Sequence, residues 1–306
     1  MIFDFALFQA EYPLAVAAIA SIFGALIGSF LNVVVYRLPI MLNEDWNRQA
    51  VDILSEQTDN ASLKSQLQAF IVDREEAFNL IVPNSRCPNC DAEIKPWHNI
   101  PILGYLFLRG RCNDCMRPIS ARYPIVEALT AVLTMLVVME FGLNLQGLAA
   151  CVLTWSLISL ALIDYDTQLL PDDITLLFLW LGLTANFFGF FVSLPEAFIG
   201  ACAGYLVLWF VFQAFKLLTG KEGMGYGDFK MLAMLGAWLG AEAIPLIILL
   251  SSLSGALLGG ILIATGRDRD KPLKFGPFLA IAGWIALMWG NELVAWYLAY
   301  AIQTSR

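Results

Sequence analysis

Eight apolar stretches constrain this chain more than any motif does. They lie at about residues 14–36, 124–140, 147–163, 173–192, 196–218, 229–241, 243–264 and 276–300. A hydrocarbon core about 30 Å thick is crossed by about 20 apolar residues in a helix. Within it every backbone polar group must be paired internally, so a chain with repeated stretches of this length spans as helices. Only 14% of the 306 residues are charged and 59% are hydrophobic, too little polar surface for a soluble fold of this size. The expected fold is an all-α polytopic membrane protein with about eight transmembrane helices and a small cytoplasmic insertion. The sixth stretch is the doubtful one, because its 13 residues reach only about 20 Å at 1.5 Å per residue.

Basic residues set the orientation. Residues 1–36 hold none, ten fall between Arg37 and Arg122, and Lys216, Lys221 and Lys230 flank the next polar loop. Arg267, Arg269, Lys271 and Lys274 fill the last loop, which leaves Arg306 alone elsewhere. With eight spans and an external N-terminus, 17 of the 18 basic residues share the cytoplasmic side. The first stretch follows an acidic N-terminus and reads as a retained anchor rather than a signal peptide. The expected organisation is an anchor at 1–36, a cytoplasmic domain at 37–122 and a membrane domain at 123–306. A net charge of -8 with no dominant basic patch argues against nucleic acid as a partner. No internal repeat is evident.

The insertion has two halves. Leu63, Leu67, Phe70 and Ile71 recur at helical spacing among mixed charges in the first, which predicts surface helices. The second carries Cys87-Pro-Asn-Cys90, then 21 residues, then Cys112-Asn-Asp-Cys115. Two such knuckles place four thiolates tetrahedrally around zinc, and Arg86, Arg109, Arg111 and Arg117 are expected to favour the thiolates. Two disulfides are the alternative, disfavoured in a reducing cytoplasm. Four Cys ligands leave no coordination position for water, so such a zinc is structural. Cys151 and Cys202 read as packing residues within spans. His98, the only histidine, reads as a loop residue, and its solitude excludes H-E-x-x-H and makes a His-based triad improbable.

Two aspartates stand where apolar stretches meet water. Asp164 closes one in LIDYDTQLLPD, and Asp228 opens another in GMGYGDFKML. Ionisable groups at membrane depth are functional candidates, and the C-terminal end of a helix is an unfavourable place for a carboxylate. Asp172 and Asp173, after Pro171, read as helix N-caps, and Asp166 as solvated or supporting. Asp228 has the same capping alternative at Phe229. Lys230 is read as a boundary anchor that could also tune the pair. The glycines of 223–227 lack the preceding strand and the G-K-[ST] ending of a phosphate loop, and are read as permitting close backbone approach. If Asp164 and Asp228 come within hydrogen-bonding distance, one keeps a proton. The ionised partner then activates water while the other polarises a scissile carbonyl. A proton-coupled transporter also uses intramembrane carboxylates, but places them near mid-span.

GALIGSFLNVVVYRLP at 24–39, the CPNC and CNDC knuckles, ISARYPIVEALTA at 119–131, D-x6-P-D at 164–172 and GYGDFK at 225–230 together resemble bacterial type IV prepilin peptidases, of the GxGD type of membrane aspartic peptidases. These are bifunctional leader peptidase/N-methyltransferases of the inner membrane. The resemblance implies that Asp164 and Asp228 are the catalytic pair and that Cys87, Cys90, Cys112 and Cys115 bind zinc. It implies type IV prepilins and type II secretion pseudopilins as substrates, cut after a glycine at the cytoplasmic face. It also implies methylation of the new N-terminal residue, usually phenylalanine, with S-adenosylmethionine. No methyl-donor motif is visible, so that activity rests on the resemblance alone, and a peptidase without it is the alternative. The polar stretch 43–80 departs from the pattern.

Overall fold

The computed structural model describes residues 5–69, 71, 77–265 and 274–304. Its elements are α1 (Phe5–Glu11), α2 (Pro13–Gln57), α3 (Ala61–Gln68), a 3-10 turn (Pro96–Asn99), α4 (Leu103–Phe107), α5 (Arg122–Phe141) and α6 (Leu145–Thr167). They continue with α7 (Asp172–Phe187), α8 (Leu194–Thr219), α9 (Tyr226–Leu239), α10 (Ala243–Ala264) and α11 (Gly276–Thr304). No sheet occurs among the described residues, only two isolated bridges. Each of the eight expected stretches carries a helix. Six of these helices, α2, α5, α6, α8, α10 and α11, are long and apolar enough to cross a membrane. This is a multi-pass membrane protein.

The two shorter helices differ for physical reasons. α9, as expected, is short at 14 residues, about 21 Å. Phe229, Met231, Leu232, Met234, Leu235 and Trp238 are all fully buried. A helix apolar on every side belongs inside a protein, and α9 has neighbours rather than lipid around it. α7 has 16 residues where the stretch 173–192 was expected to be helical throughout; it stops at Phe187. Buried Asn186 accounts for the stop. Its Oδ1 accepts the N–H groups of Phe191 and Val192, and its Nδ2 donates to the carbonyls of Ala237 and Trp238. The amide is satisfied by turning the chain after α7 and tying the turn to the end of α9.

The chain divides into two compact units. One comprises residues 1–22 with 132–306. Within it α9 packs on α7 and α8, and α11 packs on α6, α9 and α10. The α8–α9 contact is backbone against backbone. A Cβ on Gly236 would lie 2.1 Å from the carbonyl oxygen of Gly200, and one on Gly204 would lie 2.5 Å from that of Leu232. Small residues permit this approach in membrane helices. Gly236→Ala should therefore force α8 and α9 apart and destabilise the protein by about 1–3 kcal/mol. Thermal unfolding in detergent checks this, with Gly260→Ala as a neutral control because nothing lies within 4 Å of its Cβ position. α11 bends at Trp289 (φ -136, ψ 16).

The other unit is residues 23–131. α2 does not end near residue 36 as expected but runs on to Gln57 with Pro39 inside it. α2 and α5 touch at Gly28, where a Cβ would stand 2.8 Å from Glu127 Cα. Buried Arg37 donates to the carbonyls of Asn79 (2.8 Å) and Pro83 (2.6 Å), fixing segment 79–83 to α2. The predicted surface helix is α3, with no buried residue; Phe70 lies outside the described residues.

A repeat does exist in this unit. Cys87 N–H donates to the Ala92 carbonyl and Asp91 N–H to that of Cys87; 25 positions on, Cys112 donates to Arg117 and Met116 to Cys112. Bridges Arg86–Glu93 and Arg111–Pro118 close both loops, and Asp91 (φ 56) and Met116 (φ 59) turn each chain through the left-handed region. The shared R-C-x-x-C is the sequence trace of this repeat.

Candidate active site

α6 carries Asp164 to its last turn. Gln168 ends the helix in the left-handed conformation (φ 58), its N–H bonding the Asp164 carbonyl. The side chain is turned inward and 6% exposed. Asp164 Oδ2 accepts the Gly276 N–H at 3.1 Å, so the first residue of α11 holds it. A Cβ on Gly276 would sit 2.8 Å from the same oxygen; only glycine lets the backbone come this close. Lys274 secures the same helix end. Its Nζ donates to the carbonyl of Tyr165, one of the groups α6 cannot pair itself, and lies 5.2 Å from the centroid of the Tyr165 ring.

α9 delivers Asp228. Gly225 is the N-cap (φ -82, ψ 150), and Asp228, in the first turn, donates its N–H to the Gly225 carbonyl at 3.2 Å. Asp228 is 7% exposed. A Cβ on Gly227 would stand 2.8 Å from Leu170 Cβ, so that glycine is what allows the start of α9 to press on the segment between α6 and α7. Phe212, Tyr226 and Phe229 pack edge-on and tilted around this turn with ring centroids 5.4–5.6 Å apart. The charge of Asp164 bears directly on Asp228. Two buried carboxylates thus stand near one another at the ends of α6 and α9, the first held by the start of α11.

Other sequence-predicted residues are placed differently. Asp172 and Asp173 are not N-caps: Pro171 takes that position, and both aspartates fall in the first turn of α7. Lys230 is an ion-pair partner, its Nζ 2.7 Å from both carboxylate oxygens of Asp172. Asp166 is exposed. Asp228 does not cap a helix at Phe229, because α9 starts at Tyr226. Gly276 and Lys274 were missed. A G-P pair opening a long apolar run signals a helix start, but nothing local reveals a contact with a residue 112 positions away.

The four knuckle cysteines belong to the other unit. The Sγ atoms of Cys87, Cys90, Cys112 and Cys115 all lie within 4.8 Å of one another. The Cys87–Cys115 and Cys90–Cys112 separations are 3.9 Å. A tetrahedral site with metal–sulfur bonds of about 2.3 Å has sulfur–sulfur edges of about 3.8 Å. These residues could hold a metal ion. The N–H groups of Asn89 and Cys90 hold the Cys87 thiol down to about 7. For Cys90 the Ala92 N–H pulls downward, but burial and the neighbouring sulfurs of Cys115, Cys87 and Cys112 outweigh it and push the thiol up to about 12. Backbone donors rather than the predicted arginines act here: Arg86 pairs with Asp91 and Arg117 bonds Asn89 Oδ1. His98 lies outside the cluster, beside Trp97. Cys151 is buried in α6, whereas Cys202 is exposed on α8 rather than packed.

Comparison with known proteins identifies the family. Residues 22–141 match the model of the bacterial peptidase A24 N-terminal domain, and residues 151–260 match that of the type IV leader peptidase family. A prepilin leader peptidase/N-methyltransferase of Stutzerimonas stutzeri is 50% identical over 295 residues, 96% of this chain and 98% of the relative. The chain belongs to the type IV leader peptidase family. Relatives of the same description from Aeromonas hydrophila (52% identical, 90% of this chain and 92% of the relative) and Neisseria gonorrhoeae (45%, 95% and 97%) extend the family likeness. No solved structure matches the chain. The family resemblance expected from the motifs is borne out. Asp164 and Asp228 fall within the leader peptidase match, and the four cysteines fall within the N-terminal one.

Proposed function

We propose that this chain removes the basic leader from type IV prepilins, and from type II secretion pseudopilins, and then methylates the new N-terminal amine. The observation that carries the peptidase half is the pair of buried carboxylates, Asp164 and Asp228, in one site of a leader peptidase family member. Like charges buried together cannot both ionise easily, so the pair holds one proton. The ionised aspartate takes a proton from water, whose oxygen attacks the scissile carbonyl carbon while the protonated aspartate donates to the carbonyl oxygen. On collapse the C–N bond breaks, the aspartate that took the water proton passes it to the leaving amine, and the other aspartate takes a proton back from a hydroxyl of the intermediate as the carbonyl re-forms, which restores the shared-proton state. The substrate's apolar segment is accommodated by the bilayer, with its cleavage site level with the ends of α6 and α9. The distribution of basic residues supports a position for that level at the cytoplasmic face of the inner membrane.

The cysteine cluster fits zinc by its sulfur spacing and its four-thiol donor set, with Cys87, Cys90, Cys112 and Cys115 as ligands. Zinc supplies a structural cross-link there and no open position for water. Metal analysis of the purified protein should return about one zinc per chain, and Cys87→Ser or Cys112→Ser should lower it and expose segment 86–118 to protease. Unchanged zinc in both variants contradicts the assignment. S-adenosylmethionine supplies the methyl group in the second reaction, a reading supported by the relatives' shared description. Among the described residues no strand leads into a glycine-rich loop, so a Rossmann-type cradle is not the form of its site.

Mass spectrometry tests the whole reading. Purified protein in lipid, given a prepilin and S-adenosylmethionine, should yield mature pilin shortened by its leader and carrying one methyl group. An uncut prepilin refutes the peptidase half, and a cut but unmethylated product refutes the other.

A further inference from the structure

Four charged side chains are buried among the described residues: Arg37, Glu127, Asp164 and Asp228. The aspartates form the proposed peptidase site, and Arg37 is held by two backbone carbonyls. Glu127 remains, on α5 and 8% exposed. Its Oε2 accepts the Ile102 N–H at 2.7 Å, and the Ser29 side chain of α2 is a second, neutral partner near its carboxylate. Neither partner is charged, and no described cation pairs with it.

The loop facing Glu127 is unusual. Ile102 has φ 62 and ψ -52, and the Pro101 carbonyl accepts the Leu103 N–H at 2.6 Å. This is the rare positive-φ form of the γ-turn, strained for any residue with a side chain and more so for a β-branched one. The turn cannot relax backward, because the His98 carbonyl oxygen stands 2.1 Å from the Cβ position of Gly104. α2 packs directly on the backbone beside Glu127, where a Cβ on Gly28 would stand 2.8 Å from Glu127 Cα. Backbone strain of this kind persists where the surroundings over-determine it, and it clusters at functional sites.

A glutamine oxygen would accept the Ile102 N–H as well as a carboxylate does, without burying a charge. A cation that arrives from outside would supply the charge partner that the protein itself does not. The second proposed reaction brings one. A new α-amine has a pKa of about 7.7–8.0, so it arrives largely as ammonium at neutral pH, and it must lose a proton before its lone pair can attack a methyl group.

We infer that Glu127, pinned by the Ile102 N–H, is the acceptor-amine site of the methyl transfer. The inference rests on the bifunctional reading above. The carboxylate binds the ammonium and takes one proton: the N–H bond breaks, its electron pair stays on nitrogen, and the proton passes to a Glu127 oxygen. The amine nitrogen then forms a bond to the methyl carbon of the sulfonium donor. The S–C bond breaks with its electrons returning to sulfur, leaving a neutral thioether.

The test uses the full-length protein in lipid and a synthetic peptide with the sequence of a mature pilin N-terminus, either free or N-acetylated. Glu127→Gln should cleave prepilin within about twofold of wild type but methylate the free peptide at least about 100-fold more slowly, the scale of a lost general base. In a binding assay without methyl donor, wild type should prefer the free over the acetylated peptide, and Glu127→Gln should lose that preference. Glu127→Ala, which also removes the acceptor for Ile102, serves as the structural comparison. A Glu127→Gln enzyme that methylates and discriminates like wild type, with only Glu127→Ala defective, overturns the proposal and leaves Glu127 as a pin for the turn. A wild type that cleaves but never methylates overturns the bifunctional reading itself, and this proposal with it.

Discussion

Asp164→Asn and Asp228→Asn should each lower prepilin cleavage by at least about 10³-fold, because general acid–base groups contribute about 10²–10⁴-fold and these two act as one unit. The substitutions suit the question. Asparagine matches aspartate in shape, and its oxygen can still accept the Gly276 N–H that Asp164 now accepts. The loss therefore reports chemistry rather than collapse of the ends of α6 and α9. In Asp164→Asn the surviving carboxylate loses the partner whose charge bears on it, and no proton remains to be shared. Cleavage kinetics on purified protein, with thermal unfolding alongside, should show activity gone and the unfolding transition little moved.

Gly276→Ala should lower kcat for cleavage by about 10²-fold and leave KM nearly unchanged, since misplacing a reacting group by about 1 Å has that effect. The added Cβ would stand 2.8 Å from Asp164 Oδ2, 3.0 Å from its Cγ and 3.1 Å from its Cβ, so the carboxylate must rotate or α11 must retreat. The N–H donor survives, which separates a steric displacement from a lost hydrogen bond. A purely structural role would lower yield and thermal stability and leave turnover per folded molecule intact. A variant with wild-type kcat would show that the start of α11 does not set the geometry of Asp164.

Which parts of this were legible in the sequence follows from the range of the interactions involved. The apolar stretches announce their helices because membrane burial is a local, compositional requirement. Both aspartates were visible for the same reason, a charge where such a stretch meets water. The two R-C-x-x-C knuckles carry their ligand spacing within four residues each. Range also explains what was hidden. α2 continues past residue 36 into polar sequence and through Pro39, where a missing N–H removes one helical bond without ending the helix. The capping reading of Asp172 was sound as a local propensity, yet Lys230, 58 positions on, claims that carboxylate instead. Gly276 looked like a helix start and nothing more. Glu127 sat inside an apolar stretch as one charge among many hydrophobic neighbours, and only the Ile102 turn marks it as special.

In the proposed mechanism Asp164 and Asp228 are two halves of one device. The most direct measurement compares the cleavage rate of Asp164→Asn, Asp228→Asn and the double variant on one prepilin in one lipid. Acting as a unit, either single substitution should already remove the chemistry, and the double variant should be no slower than the slower single. More than about 1% of wild-type activity in either single variant is far above the ≥ 10³-fold loss expected of a shared acid–base unit. That result, or losses that multiply in the double variant, would contradict the account.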